Sequence, residues 1–226
     1  LEDSTTPVLI SGSPAVFPQP ENCSDTIHTT GYWFYDEDQA WQPSADLLAF
    51  LESGPAPVYV GFGSMGNPSE KEETTHIVIN ALQKSRQRGL LASGWSGMQQ
   101  FDQLPDSMFM LDAAPHNWLF PRMAAVVHHG GAGTTAAGFR AGIPSVIVPH
   151  GMDQFAWGTR AYELGVGAKP IPRKQLTATR LADAIQQALQ PDVIKNAAAL
   201  GETIQQEHGA ARAARIIQQT RMNQSY

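Results

Sequence analysis

The chain has 226 residues, 42% of them hydrophobic, and a formal net charge of −6. This length can bury one large core or two small ones, and this composition excludes a wholly disordered chain. The acidic balance without a basic run excludes nucleic acid as the main partner, the single cysteine, Cys23, excludes an internal disulfide framework, and no stretch approaches the roughly 20 apolar residues of a membrane span. The chain opens on Leu1-Glu2-Asp3 with no initiator Met and no signal-peptide pattern, which is expected of a processed or excised fragment.

Residues 1–30 are rich in Pro, Ser and Thr, with Pro7, Pro14, Pro18 and Pro20 breaking any period. They read as a linker with one or two short strands. From Pro57 the chain alternates between strands and helices. Pro57–Val60 is a predicted strand, and Pro68-Ser69-Glu70 opens a helix whose first turn is acidic (Glu70, Glu72, Glu73). The apolar face of that helix is Thr75, Val78, Ile79 and Leu82. Gly89–Ala92 and Met108–Leu111 are further strands, and Trp118–Phe120 falls in a short helix. Ala124–Val127 and Ser145–Val148 are the next two strands, with a small-residue helix from about Thr134 to Ala141 between them. Phe155–Leu164 is a helix stopped by Gly165, and Gly167–Ile171 is a last strand. The tail from Thr179 to about Met222 is helical, broken at Pro191 and Gly209.

This alternation gives an α/β fold: a Rossmann-like parallel sheet with helices on both faces and right-handed crossovers. Residues 57–222 are expected to form one Rossmann-like domain, and residues 1–56 an interdomain linker and entry segment packed against it. A parallel sheet binds ligands beyond the carboxyl ends of its strands. The loops there carry Ser64, Trp95, Ala114–His116, His129–Thr135 and His150–Gln154.

The stretch from Val127 to Gln154 carries the most chemistry. A glycine-rich turn (Gly130, Gly131, Gly133) between strand and helix bares backbone N–H groups at a positive helix end, an anion site that suits phosphate. His128 and His129 add imidazoles, and Thr134 and Thr135 add hydroxyls. Asp153-Gln154 then sets a carboxylate beside an amide, a pair suited to sugar hydroxyls. Together they point to a nucleotide-sugar site. A dinucleotide-binding dehydrogenase is the weaker reading, because Gly61-Phe62-Gly63-Ser64-Met65 lacks the G-x-G-x-x-G spacing. A metal site has no ligand spacing to support it.

His128–Thr135 (H-H-G-G-A-G-T-T), Arg140–Pro144 (R-A-G-I-P) and Asp153–Gly158 (D-Q-F-A-W-G) together resemble the donor signature of family 1 glycosyltransferases with the GT-B fold. The nearest variant is that of the sterol 3-beta-glucosyltransferases and their bacterial relatives. Pro115–Pro121 is similar to the P-H-D-W-L-F-P of that group, with Asn117 in place of Asp. The likeness runs from about Gly31 to Gln219.

This resemblance implies the C-terminal, donor-binding half of an inverting UDP-glycosyltransferase, a hexosyltransferase that takes UDP-glucose. The acceptor would be a lipophilic hydroxyl such as a sterol. It implies that His129 meets the donor diphosphate and that Gly131, Gly133, Thr134 and Thr135 give it backbone and hydroxyl donors. Ser64 would reach the distal phosphate, the Ala114 backbone would meet the base, and Asp153 and Gln154 would hold the hexose. Trp95 either stacks near the base or packs in a core corner, and the role of His128 stays open. No cofactor or metal is expected, because helix dipole and imidazole can neutralise the leaving diphosphate. The general base is expected in an N-terminal acceptor domain that this chain lacks, so the fragment alone is expected to be inactive. The alternative is a nucleotide-sugar-binding module or subunit without transfer activity. A cytoplasmic location is expected, with peripheral membrane association of the full-length enzyme.

Overall fold

The computed structural model describes residues 6–36, 41–63, 71–93 and 104–223. Five parallel strands make the central sheet: β3 (Val58–Gly61), β4 (Gly89–Ala92), β5 (Met108–Leu111), β6 (Ala125–His128) and β7 (Ser145–Ile147). Their spatial order is β5-β4-β3-β6-β7. The chain therefore builds outward from β3 in one direction, then returns and builds outward from β6 in the other. Between β3 and β6 the loops diverge and leave a crevice at the carboxyl edge. A separate parallel pair, β1 (Val8–Ile10) and β2 (Ile27–Thr29), lies in the segment read as linker.

Strand alternation sends successive side chains to opposite faces. Val58 and Val60 of β3, Val127 of β6 and Val146 of β7 share one core with Val78 and Leu82 of α2 (Lys71–Ser85) and Leu181 and Ile185 of α6 (Ala178–Ala188). Tyr59, Leu90 and Val126 face the other way. They meet Leu47 of α1 (Ala45–Glu52), Leu119 of α3 (His116–Leu119) and Phe120. Helices thus cover both faces, as the sequence pattern predicts.

On that second side, Phe139 of α4 (Ala132–Ala141) packs with Ile147, with Ala161 of α5 (Gln154–Glu163) and with Ala197 of α7 (Pro191–Gln205). Val16 and Tyr32 belong to the same cluster, so the segment before residue 57 is part of this core. The last helix is α8 (Gly209–Asn223). No described helix is long and apolar enough to cross a membrane.

Three elements differ from the sequence reading. α1 was not foreseen; Ser44 caps it by accepting the Leu47 N–H at 3.2 Å. α4 begins at Ala132, two residues before Thr134, because a helix start needs no apolar residue to mark it. Gly167–Ile171 is not a strand but makes one bridge, Ser145 to Gly167, and scattered bonds from Ala168 and Ile171 to β7. Pro170 and Pro172 lack the N–H groups that a continuous ladder requires. The end of α4 follows the expectation: Gly142, at φ 70°, donates its N–H to Gly138 and Phe139.

Candidate functional site

β6 ends on two histidines with different surroundings. His128 is fully buried, and its Nδ1 accepts the Gly130 N–H at 3.1 Å. An accepting Nδ1 carries no proton, so the ring's hydrogen sits on Nε2. That atom is also buried and has no hydrogen-bond partner among the described residues. Burial, then the neighbouring His129 and His116, lowers the His128 pKa to about 3. The side chain is a neutral brace for the turn that leads into α4.

His129 points the other way, into the crevice. Its ring is wedged between two glycines. A Cβ at Gly63 would lie 2.9 Å from His129 Cε1, and one at Gly131 would lie 2.5 Å from Nε2. Gly63 follows β3 and also takes φ 61°, while Gly131 caps α4. His129 thus stands where the loops after β3 and β6 part. Its Nδ1 is buried without a partner among the described residues. Burial, then His150, holds its pKa below the ordinary histidine value, against the opposing pull of Asp153. The His150 ring lies 6.4 Å away, with Phe62 behind it at 5.9 Å.

α4 starts beside this imidazole. Its N-cap, Gly131, makes no side-chain cap bond, so the first-turn N–H groups rest on solvent or ligand. Along its exposed side runs a cleft of about 850 Å³. Gly133, Thr134, Ala137 and Arg140 form its floor, at helical spacing, and Ala114 to Asn117 form one wall. Phe34 and Asp36 close it from the linker. A smaller hollow of about 160 Å³ adjoins it through Ala114 and His116 and reaches Gly63.

The structure gathers His129, Gly131, Gly133, Thr134 and Ala114 around this crevice and cleft. Ser64 and Trp95 lie outside the described residues. Thr135 is buried, and both its N–H and its hydroxyl donate to the Gly131 carbonyl, at 2.9 Å each. Its hydroxyl hydrogen therefore braces the helix start. Gln154 is 5% exposed, and its Oε1 accepts the His150 N–H at 2.7 Å and the Gly151 N–H at 3.3 Å. In this arrangement its carbonyl shapes the loop after β7. Asp153 is exposed, with one carboxylate oxygen accepting from Trp157 Nε1 at 3.0 Å.

Asp36 was missed, having been placed in the linker. It forms a two-point ion pair with Arg140, with the longer contact at 3.0 Å. Its partner is 104 residues away in sequence. No local motif marks such a residue; the only hint is an acid just after the aromatic run Tyr32–Tyr35.

The profile of the family described as Erythromycin biosynthesis protein CIII-like, C-terminal domain, matches residues 94–215, more than half of the chain. A sterol 3-beta-glucosyltransferase of Arabidopsis thaliana is 42% identical over 89% of this chain and 33% of its own length. An Aspergillus terreus protein of the same name is 38% identical over 96% of the chain and 16% of its own. The O-mycaminosyltylonolide 6-deoxyallosyltransferase of Streptomyces fradiae is 37% identical over 94% of the chain and 49% of its own length. The chain thus spans between about a sixth and a half of these relatives. Among solved structures, the kitacinnamycin glycotransferase superposes with a TM-score of 0.77 at 20% identity, covering 95% of this chain and 55% of that one. A calicheamicin glycosyltransferase does so at 0.75 and 20%, covering 97% and 53%. The fold is that of the C-terminal half of GT-B glycosyltransferases, and the chain belongs to the family of erythromycin biosynthesis protein CIII-like C-terminal domains.

Proposed function

We propose that this chain is the donor-binding half of an inverting glycosyltransferase. It takes a UDP-sugar, UDP-glucose first, for delivery to a lipophilic hydroxyl such as a sterol. The observation that carries this reading is the seat of His129, wedged between Gly63 and Gly131 beside the uncapped start of α4. An imidazole and a helix N-terminus converging on one point make a diphosphate site. As the glycosidic bond breaks, negative charge grows on the leaving diphosphate, and these groups are already in place to meet it. Ala114 and the cleft beside α4 would take the nucleoside, and Asp153 on the opposite rim would face the hexose.

The acceptor class follows the names of the sterol glucosyltransferase relatives. The acceptor pocket and the general base would come from the portion of those relatives that this chain does not span. A lipophilic acceptor would bring the whole enzyme to a membrane surface. Metal is assigned no part, since the N–H of the neutral His129 imidazole and the helix dipole meet the negative charge of the diphosphate.

Calorimetry and thermal unfolding with UDP, UDP-glucose and NAD test the reading. UDP and UDP-glucose should bind, with stabilisation of about 2.7 kcal/mol at 100 times the dissociation constant. EDTA should not change their affinity, and NAD should give no response. Folded protein that does not respond to millimolar UDP overturns the proposal.

A further inference from the structure

The far end of the cleft holds a carboxylate with acceptor capacity to spare. Asp36 takes two bonds from the Arg140 guanidinium, and the Asn117 side chain also bonds to it. Asn117 Oδ1 already accepts the Trp118 N–H at 2.9 Å, so the amide nitrogen is its donor toward Asp36. An ionised carboxylate offers about four acceptor sites, and three are used. Its side chain is still 58% exposed, and Asp36 lines the cleft. The carboxylate is held in place as well. The Arg140 guanidinium lies 4.5 Å from the Phe34 ring centroid, and the Arg140 carbonyl accepts from Gln205 Nε2 at 2.8 Å.

α4 supplies a ruler. From Gly133 at the mouth to Arg140 is seven residues, about 10 Å of rise. Helix side chains lean toward the N-terminus, so the Arg140 head and the carboxylate it holds lie closer to the mouth than that. A nucleoside diphosphate anchored at the start of α4 therefore brings its ribose, not its base, opposite Asp36. Carboxylates read ribose by accepting a hydrogen bond from the 2′-hydroxyl, as in dinucleotide folds.

We propose that Asp36, fixed by Arg140 and Asn117, accepts a hydrogen bond from the ribose 2′-hydroxyl and makes this site select ribonucleoside over deoxyribonucleoside diphosphates. The inference rests on the donor-site reading above and deepens it: the nucleoside of the donor must be a ribonucleoside, which admits UDP-sugars and disfavours deoxyribonucleoside diphosphate sugars. Asp36 is a specificity residue that touches the nucleotide and takes no part in the chemical step.

The test is calorimetric titration of the 226-residue chain with UDP and with 2′-deoxy-UDP. A hydrogen bond to a charged acceptor predicts UDP tighter by about tenfold to a hundredfold. In Asp36→Ala that ratio should fall close to one, mainly through weaker UDP binding. Asp36→Asn keeps the size and a neutral acceptor, and its ratio should fall part-way. If Asp36 only props the cleft open, UDP and deoxy-UDP weaken together and the ratio persists, which overturns the proposal. Equal affinities in the unaltered chain overturn it without any variant. If Asp36→Ala does not fold, Asp36→Asn decides by the same ratio. Binding of neither nucleotide removes the donor-site reading itself, so the two failures are told apart.

Discussion

Under α2 and α6 the sheet presents Val58, Val60, Val127 and Val146, all fully buried among other apolar side chains. At the carboxyl ends of β3 and β6 the composition inverts. Two successive histidines appear there, each with a buried nitrogen that has no partner among the described residues, beside a helix start with no side-chain cap. An unmet buried donor costs about 1–3 kcal/mol. This apolar core, the floor beneath the rim, gains stability by burying apolar side chains against one another. The rim gives some of that up and keeps the His129 imidazole and the first N–H groups of α4 available to a ligand. The two regions share strands, so the contrast is set by single positions along β3 and β6.

Substitutions in the floor should lower stability and spare binding. Leu82 is fully buried and sits directly over Gly89 of β4. Leu82→Ala should cost about 2–5 kcal/mol in denaturant unfolding, with UDP affinity of the folded protein unchanged. A large loss of affinity in that variant would break the division between floor and rim.

The reverse is expected at the rim. His129→Ala should weaken UDP binding about tenfold to a hundredfold, the worth of a hydrogen bond to a charged phosphate, and leave the unfolding midpoint nearly unchanged. Gly63→Ala should also weaken binding with His129 intact, because the new Cβ meets the ring at 2.9 Å and Gly63 has φ 61°. Full UDP affinity in both variants would take the imidazole out of the site.

The effect that is smallest at neutral pH sharpens the contrast as the pH is lowered. The folded-state pKa of His128 is lowered to about 3, below its ordinary value, so the unfolded chain takes the proton first. Its contribution to stability is therefore full above about pH 6.5 and is lost as pH falls toward 3. The slope is at most about 1.4 kcal/mol per pH unit. His129 is shifted in the same direction and adds to the slope. His128→Asn keeps an acceptor for the Gly130 N–H and should flatten the stability–pH curve by one proton. Leu82→Ala should shift that curve without changing its slope.

Much of this architecture is local and could be read from the sequence. Gly89–Ala92 and Met108–Leu111 are apolar runs whose strand bounds come out as expected. Gly142 before Ile143-Pro144 ends α4 because a left-handed residue there closes the last turn. The Pro191 and Gly209 breaks divide α6, α7 and α8 where the sequence places them. The parallel sheet then puts the described loops after β5, β6 and β7 on one edge, since strands that run the same way end on the same side.

Partnership across the fold depended on the tertiary structure. Sequence marks Thr135 and Gln154 as polar groups beside a phosphate and a sugar. Packing decides that the Thr135 hydroxyl turns back to Gly131 and that the Gln154 carbonyl holds the His150 turn. Sequence marks Gly131 as a backbone donor to the diphosphate and Gly63 as part of a strand-end loop, but only the folded chain shows the His129 ring filling the space a Cβ would take at both. Asp36 could not be found from any window of sequence, because Arg140, which fixes it, lies 104 residues away and is brought alongside only when the linker docks on α4. Period and turn chemistry act over a few residues and were written in the sequence. Which side chains remain free to meet a ligand is a difference between all donors and all acceptors in three dimensions, and only the folded chain settles it.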